Sequence, residues 1–300
     1  MPSSMPVDQL PLASDATASN ALLSDAQRRE VEQRFSGSLV AERRRHRHRQ
    51  IALNILGVII FLFVWEVTPR VIPDLNLLMF PPPSGVIDTF IAMVSSGELM
   101  IHIGYSLMRA ALGFIIGAAL GILCGVITGR IEAFRHLSDP VLQGMRAIPA
   151  IAFVPLAVAW FGLGEGAKIF LIAWGTFFPV WINTLVGVRE IPSVFLRSAQ
   201  SLGANERQIL TRVVLPAALP FVIAGLRLAT ATALVVLVAA ELVGASFGLG
   251  YLISFSHLVF RIDMMFVGLL TLGVVGFVVD RSFLFVIQRM FPWYQGEARR

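Results

Sequence analysis

Residues 189–216 read REIPSVFLRSAQSLGANERQILTRVVLP, a largely polar stretch between two long apolar runs. Pro192 suits the first turn of a helix, and apolar residues then recur at helical spacing. Gly203 is typical of a helix C-terminus, where a left-handed backbone is common. Asn205 and Gln208 match a capping box that begins a second helix. The stretch therefore predicts two short helices joined at a glycine, with an apolar stripe suited to docking on a partner protein.

The apolar runs around this stretch are long enough to cross a membrane. Of the 300 residues, 56% are hydrophobic and 14% are charged, against about 25% charged residues in a typical soluble domain. A membrane-spanning helix needs roughly 20 mostly apolar residues. The sequence predicts an all-α integral membrane protein with six transmembrane helices, at about 51–68, 102–128, 140–161, 168–188, 216–243 and 264–287. We therefore assign 43–300 to a transmembrane domain, with 189–215 as its cytoplasmic loop.

The first 42 residues differ in composition from those that follow. Residues 1–20 are rich in Ser, Ala, Asp and Pro, and they hold too few apolar side chains to form a core. Ser24 and Gln27 match a capping box, which indicates a short helix as far as Phe35. We predict that 1–42 is a largely disordered cytoplasmic tail with this one short helix.

Arginines set the predicted orientation in the membrane. The basic run RRRHRHR at 43–49 precedes the first span, and further arginines follow the second, fourth and sixth spans. Cytoplasmic loops of membrane proteins carry such an excess of Arg and Lys, so both termini are predicted to be cytoplasmic. A nucleic-acid patch or a twin-arginine export signal is the alternative for 43–49. Because the run abuts a full-length span, we favour membrane orientation and expect no nucleic-acid partner.

The second predicted span carries a glycine at every fourth position, namely Gly113, Gly117, Gly121, Gly125 and Gly129. Four residues slightly exceed one helical turn, so these glycines form a groove that winds slowly round one face. In lipid, such a groove lets another helix approach closely. Two interpretations are open: packing against a helix of the same subunit, or a sliding surface at a moving interface.

Charged residues inside the predicted spans need a physical reason, because each costs about 2.5–3.5 kcal/mol on insertion scales. Arg109 and Glu241 are predicted at similar depth in the outer part of the membrane, which favours an ion pair. Arg146 and Arg227 are predicted in the inner half. Their side chains either snorkel to the interface or attract an anion through a pathway. Asp280, near the inner end of the sixth span, is interpreted as solvated.

The quoted loop resembles the signature of the inner-membrane permeases of binding-protein-dependent ABC importers. That signature is Glu-Ala-Ala, three residues, Gly, nine residues and Ile-x-Leu-Pro, and this chain keeps the same intervals. The signature's Glu, first Ala and Ile are replaced by Arg197, Ser198 and Val213. The resemblance implies an ATPase-coupling loop that comprises Arg197, Ser198, Ala199, Gln200, Ser201, Leu202, Gly203, Ala204, Leu215 and Pro216.

Other stretches resemble the branch of this family that handles taurine, alkanesulfonates, nitrate and bicarbonate. They are FGLGEGAK at 161–168, AQSLGA at 199–204, LPAALP at 215–220, AAEL at 239–242 and GLGYL at 248–252. The resemblance covers roughly 51–296 and implies a type I ABC importer permease fold in the bacterial inner membrane. The implied cargo is a small anion such as taurine or an alkanesulfonate, with nitrate, bicarbonate or another organic anion as the alternative.

The resemblance also implies partners. A second copy of the chain, two ABC ATPase subunits and an extracytoplasmic solute-binding protein would complete the transporter, with ATP and Mg bound by the ATPases and no cofactor on this chain. The sequence agrees independently, because its only lysine, Lys168, lies at a membrane boundary and not in a phosphate-binding P-loop. Catalytic motifs and metal-ligand spacings are missing, so we predict no catalytic and no metal-binding residues. A stand-alone channel or an intramembrane enzyme is the alternative from a different class.

Overall fold

The computed structural model describes residues 50, 53–72 and 79–291. The predicted tail at 1–42, its short helix and the basic run at 43–49 lie outside the described residues. The described residues divide into two units, one that ends at Val67 and one that begins at Thr68. Helix α1 (Leu53–Val71) begins in the first unit and is apolar, with largely exposed side chains that include Phe61 and Phe63.

Throughout the described ranges, the regular structure is helical. The further helices are α2 (Pro83–Ser95), α3 (Glu98–Arg130), α4 (Glu132–Arg146), a 3-10 turn (Ala150–Phe153) continuing into α5 (Val154–Phe161), α6 (Glu165–Arg189), α7 (Ser193–Ser201), α8 (Glu206–Leu242), α9 (Leu249–Leu258) and α10 (Ile262–Met290). Of the helices in this part of the chain, α1, α3, α6, α8 and α10 are long and apolar enough to cross a membrane. The bent pair α4–α5 gives a sixth crossing if it is counted as one span. The predicted all-α membrane fold is confirmed.

The third span differs from the single helix that the sequence predicts over about 140–161. Helix α4 ends at Arg146, and the segment Ala150–Phe161 leaves it at an angle of 88°. Pro149 lies at the break in an extended conformation, with a ψ of 137°, and its ring has no N–H to continue the helix. Pro140, at the predicted start of the span, lies inside α4. The apolar run is therefore divided by a sharp bend.

Helices α3 and α6 run parallel and in close contact. Gly113 faces Ile172 near one end, and Gly129 faces Val188 near the other, so the contacts advance in the same direction along both helices. The chain that joins two parallel helices must return across the bundle between them. The bent pair α4–α5 makes this return, which supports counting it as one crossing.

Helix α6 lies at the centre of the core, between α3 and α8. Gly187 of α6 faces Phe221, whereas Gly175 faces Val236, so α8 runs antiparallel to α6. We call the end of the bundle that carries α7 the loop end, and the opposite end the far end. Lipid supplies no hydrophobic drive between helices, so close contact at small residues holds these three helices together.

The predicted glycine groove of α3 is filled by α6. A Cβ atom on Gly121 would lie 2.8 Å from the carbonyl oxygen of Phe177, and one on Gly125 would lie 2.6 Å from Cβ of Thr184. The opposing ridge on α6 is also spaced by four residues, and it consists of Ile172, Thr176, Val180, Thr184 and Val188. This geometry is the four-residue ridge-into-groove packing of helices. It favours packing within the subunit over a sliding interface.

Candidate functional sites

The predicted coupling loop folds as one short helix, α7, and the first turns of the long helix α8, which meet at Gly203; the second short helix that the sequence predicts is therefore the start of α8. The φ angle of Gly203 is 78°, in the left-handed region that favours glycine. The amides of Gly203 and Ala204 donate to the carbonyls of Gln200 at 2.9 Å and Ala199 at 3.0 Å. These two hydrogen bonds form a Schellman motif at the end of α7. The amides of Gly203 and Ala204 and the last carbonyls of α7 therefore satisfy one another at the bend.

Helix α8 begins with the predicted capping box. The side-chain oxygen of Asn205 accepts from the amide of Gln208 at 2.9 Å, and the side-chain oxygen of Gln208 accepts from the amide of Asn205 at 2.9 Å. The helix then widens into a π-helical segment, Leu210–Val214. Pro216 follows, and its ring has no N–H for the regular hydrogen-bond ladder. The caps on both sides of the bend fix the direction of the two helices.

The predicted apolar stripe of the loop divides between the core and the surface. Leu196 and Ala199 pack against a cluster that contains the buried Ile209 and Val214. Leu202, in contrast, is 88% exposed at the apex of the bend. Ala204 is partly buried, and the exposed residues in and next to the loop include Val194, Phe195, Arg197, Ser198, Gln200, Ser201, Gly203, Leu215 and Pro216. The loop thus presents an exposed leucine on a base that is packed into the bundle.

A buried polar cluster lies at the far end, around Arg109 of α3. The structure brings the predicted partners together, since Nη1 of Arg109 donates to Oε1 of Glu241 at 2.8 Å and the side chains are 1% and 0% exposed. Nε and Nη2 of Arg109 donate to the two carboxylate oxygens of Glu165 at 2.5 and 2.7 Å. Nη1 also donates to the carbonyl of Phe247. Through this planar donor set, Arg109 joins α3 to the start of α6 and the end of α8.

The carboxylate of Glu241 has further partners. The hydroxyl of Ser106 donates to it at 2.8 Å, and the amide of Gly250 donates to its Oε2 at 2.8 Å. The same hydroxyl accepts from the amide of Leu249 at 2.8 Å. Gly248 has a φ of 128°, and a Cβ atom there would lie 2.5 Å from Cδ of Glu241. These contacts hold the start of α9 against the end of α8.

Lys168 completes the cluster. Its Nζ donates to the carbonyl of Leu163 at 3.0 Å and lies 3.6 Å from Oε1 of Glu165. Glu165 and Glu241 therefore balance Arg109 and Lys168, so the formal charge of the group is zero. Such balance matters because a lone charge in a low-dielectric environment is costly. The cluster is suited to fixing the far end of the bundle.

The sequence pairs Arg109 with Glu241 but does not predict the roles of Ser106, Glu165 and Lys168. Ser106 and Arg109 are three residues apart and share a helix face, which was the available signal for Ser106. Glu165 and Lys168 belong to the stretch at 161–168, which gave only a resemblance. The contact of Glu165 with Arg109 depends on the parallel packing of α3 and α6, which local spacing does not indicate, and Lys168 joins the cluster through Glu165.

The two remaining predicted charges lie beside open cavities. Arg146 is exposed at the end of α4 and lines a cavity of about 360 Å³, and the described residues offer it no ionic partner. Arg227 lines a second cavity of about 560 Å³, where its Nε lies 3.6 Å from Oδ1 of Asp280. The interpretation of Asp280 as simply solvated is therefore incomplete, because it faces Arg227. Leu228 contributes to both cavities.

Long apolar helices, a broken span, charges along open cavities and a protruding loop together define a multi-pass membrane permease. Comparison with known proteins agrees with this class. Residues 117–292 match the family described as the binding-protein-dependent transport system inner membrane component. The chain belongs to this family.

Relatives from several organisms match most of the chain. The taurine transport system permease protein of Escherichia coli is 33% identical and covers 84% of this chain and 92% of its own length. A Bacillus subtilis protein named for aliphatic sulfonates transport is 36% identical, over 79% of this chain and 87% of its own length. The nitrate import permease protein of Synechocystis is 31% identical, over 65% of this chain and 70% of its own length.

A solved structure matches at the level of the fold. The crystal structure of an amino acid ABC transporter with histidines has a TM-score of 0.51 and 17% identity, and the match covers 67% of this chain and 96% of that chain. The protein is thus a multi-pass inner-membrane permease subunit with the fold of type I ABC importers. It is not an enzyme, and ATP hydrolysis in such transporters belongs to separate subunits.

Proposed function

We propose that this chain forms the translocation pathway of an ATP-driven importer for a small anionic solute, taurine or an alkanesulfonate, and couples it to a separate ATPase. The coupling loop carries the proposal, because Leu202 is 88% exposed on a base that is packed into the bundle. A large apolar side chain that two capped helix ends keep exposed is suited to insertion in a cleft of a partner. The names of the taurine and sulfonate relatives support the choice of cargo.

The proposed assembly contains two copies of this chain, two ATPase subunits that bind ATP and Mg²⁺, and a solute-binding protein at the far end. One copy leaves the cavities beside Arg146 and Arg227 open. Charged walls that faced lipid would be costly, so a second copy is the proposed cover of the pathway. The loop end then faces the cytoplasm, with Leu202 of each copy on one ATPase.

Replacing Leu202 with glutamate tests the coupling role. We expect Leu202→Glu to accumulate as wild type, because the side chain is almost fully exposed. Co-purification of the ATPase subunit should fall about tenfold or more, since an apolar anchor of an interface typically contributes about 2 kcal/mol or more. Transport should fall with it. Gly203→Val, which strains the left-handed backbone, is expected to have the same direction of effect.

Leu258→Glu is the matched control, because Leu258 is 71% exposed but lies at the end of α9, away from the loop. We expect this variant to retain the ATPase subunit. Normal ATPase retention by Leu202→Glu would contradict the proposed docking of the apex.

Reconstitution in vesicles tests the function as a whole. Vesicles that contain the permease and its ATPase should take up taurine only when ATP and the binding protein are present, and native mass spectrometry should find two copies of this chain. Uptake of nitrate or bicarbonate without taurine would select the alternative cargo. Uptake without ATP would indicate a channel, and a single copy or a second, different permease would contradict the homodimer.

A further inference from the structure

Arg227 and Asp280 form an ion pair in the half of the bundle nearer the loop end. Arg227 is about 22 Å from Leu242 along α8, at 1.5 Å per residue, and the hydrocarbon region of a membrane is about 30 Å thick. The Nε–Oδ1 distance of 3.6 Å is too long for a hydrogen bond. Within the described chain, the donors of Arg227 make no shorter contact. The pair is loose, and both charges keep free hydrogen-bonding capacity.

Both side chains open to the same groove. The side chain of Arg227 is 56% exposed and that of Asp280 is 41% exposed, and both line the cavity of about 560 Å³. The rest of its wall is mostly apolar and includes Ala224, Leu228 and Phe283. This volume lies within the usual range for small-molecule sites, about 300–1,000 Å³. An acidic and a basic side chain that line one cavity at this depth indicate the wall of a water-filled pathway and not a surface that faces lipid.

The chemistry of the pair favours a particular class of cargo. An aminosulfonate such as taurine carries a sulfonate and an ammonium on neighbouring carbons. Its sulfonate can accept two hydrogen bonds from the guanidinium of Arg227, and its ammonium can donate to the carboxylate of Asp280. Each residue then exchanges one partner for another, and the total charge of the pathway stays unchanged. A plain alkanesulfonate would bring a net negative charge and leave Asp280 beside it without a cation.

We propose that Arg227 and Asp280 are specificity-determining pathway residues that bind a zwitterionic aminosulfonate by separating from each other, with the sulfonate on Arg227 and the ammonium on Asp280. This inference rests on the proposed import of small sulfonates. It makes the pair a cargo contact, and Asp280 the residue that distinguishes taurine from ethanesulfonate.

The test uses the permease–ATPase complex in nanodiscs, without nucleotide, and measures binding of radiolabelled taurine and its competition by ethanesulfonate. We expect Asp280→Asn to weaken taurine binding about fivefold, the factor that one partly exposed ion pair contributes at most. Ethanesulfonate should compete as well as before or better. The selectivity ratio, which is the affinity for taurine divided by the affinity for ethanesulfonate, should therefore fall. Arg227→Gln should weaken the binding of both ligands, and Arg227→Lys should have a milder effect because it keeps the charge.

Arg281→Gln is the control, because Arg281 neighbours Asp280 but packs over the ring of Phe277, at 5.1 Å. It should leave the selectivity ratio unchanged. An unchanged ratio in Asp280→Asn, with or without a lower Tm, would overturn the inference and leave the pair a structural one, as would the absence of taurine binding to the wild-type complex. Vesicle uptake by the wild-type complex separates the two failures: uptake of sulfonates with an unchanged ratio rejects this inference alone, whereas no uptake of any sulfonate rejects the proposed function with it.

Discussion

Gly121→Leu is expected to remove most of the folded permease from the membrane. A side chain at this position would meet the carbonyl oxygen of Phe177 at 2.8 Å and the amide nitrogen of Trp181 at 3.1 Å. Both are backbone atoms of α6, so relief requires the whole helix to move away from α3. Overpacking of a tight contact costs about 1–3 kcal/mol and occasionally more, and here it also disturbs the neighbouring glycine contacts. The measurement is the monodisperse fraction after extraction in mild detergent.

Gly104→Leu provides the comparison within the same helix. Apart from the neighbouring residues and backbone of its own helix, no atom lies within 4 Å of a Cβ atom built on Gly104, so the added side chain has open space. We expect this variant to accumulate like wild type. Equal accumulation of Gly121→Leu and Gly104→Leu would mean that α3 and α6 do not pack with Gly121 against the backbone of Phe177 and Trp181.

The sequence predicted only one side of the contact between α3 and α6. Glycine at every fourth position predicts a groove, but it does not identify the helix that fills the groove. The matching signal lies in α6, where Ile172, Val180 and Val188 are members of a ridge with the same spacing. A ridge of β-branched residues can be read from the sequence only after the groove has suggested its period. The parallel direction of the two helices then follows from the contacts and not from the spacing.

The bend in the third span was not predicted, for a different reason. Hydropathy averages over a window, and the strongly apolar residues after Pro149 outweigh the polar side chains of α4 before it, such as Gln143 and Arg146. Proline indicates that a helix is interrupted, but it does not fix the angle at which the chain continues. The angle of 88° depends on the contacts of each half with the bundle. Sequence patterns therefore identified the crossing and missed its geometry.

In the candidate sites, too, contacts between residues close in sequence were easier to predict than contacts between separate helices. The Schellman motif at Gly203 and the capping box at Asn205 were predictable, because their hydrogen bonds join residues close in sequence. The pairing of Arg109 with Glu241 was predictable from depth in the membrane. The bidentate contact of Arg109 with Glu165 was not, since it joins the ends of separate helices.

Arg109→Ala and Glu241→Ala are each expected to lower the Tm of the detergent-solubilised permease by about 10 °C. Removing one partner of a buried ion pair costs about 3–5 kcal/mol, because it leaves an uncompensated charge. For a domain of comparable size, 1 kcal/mol corresponds to about 2–4 °C. The double variant should lose less than the sum of the single losses, with a coupling of about 0.5–3 kcal/mol. Glu165→Gln should cost less, because the side chain of Glu165 is 43% exposed.

The exposed ion pair of Arg130 with Glu206 is the matched control. Its N–O distance is 2.7 Å, close to the 2.8 Å of the buried pair, but its side chains are 29% and 76% exposed. Water screens an exposed pair, so alanine at either position should cost about 1 kcal/mol or less. Similar losses for the two pairs would contradict burial as the source of the effect. Strictly additive losses at Arg109 and Glu241 would mean that these side chains do not depend on each other, and that Ser106 and the amide of Gly250 alone suffice to hold the carboxylate of Glu241.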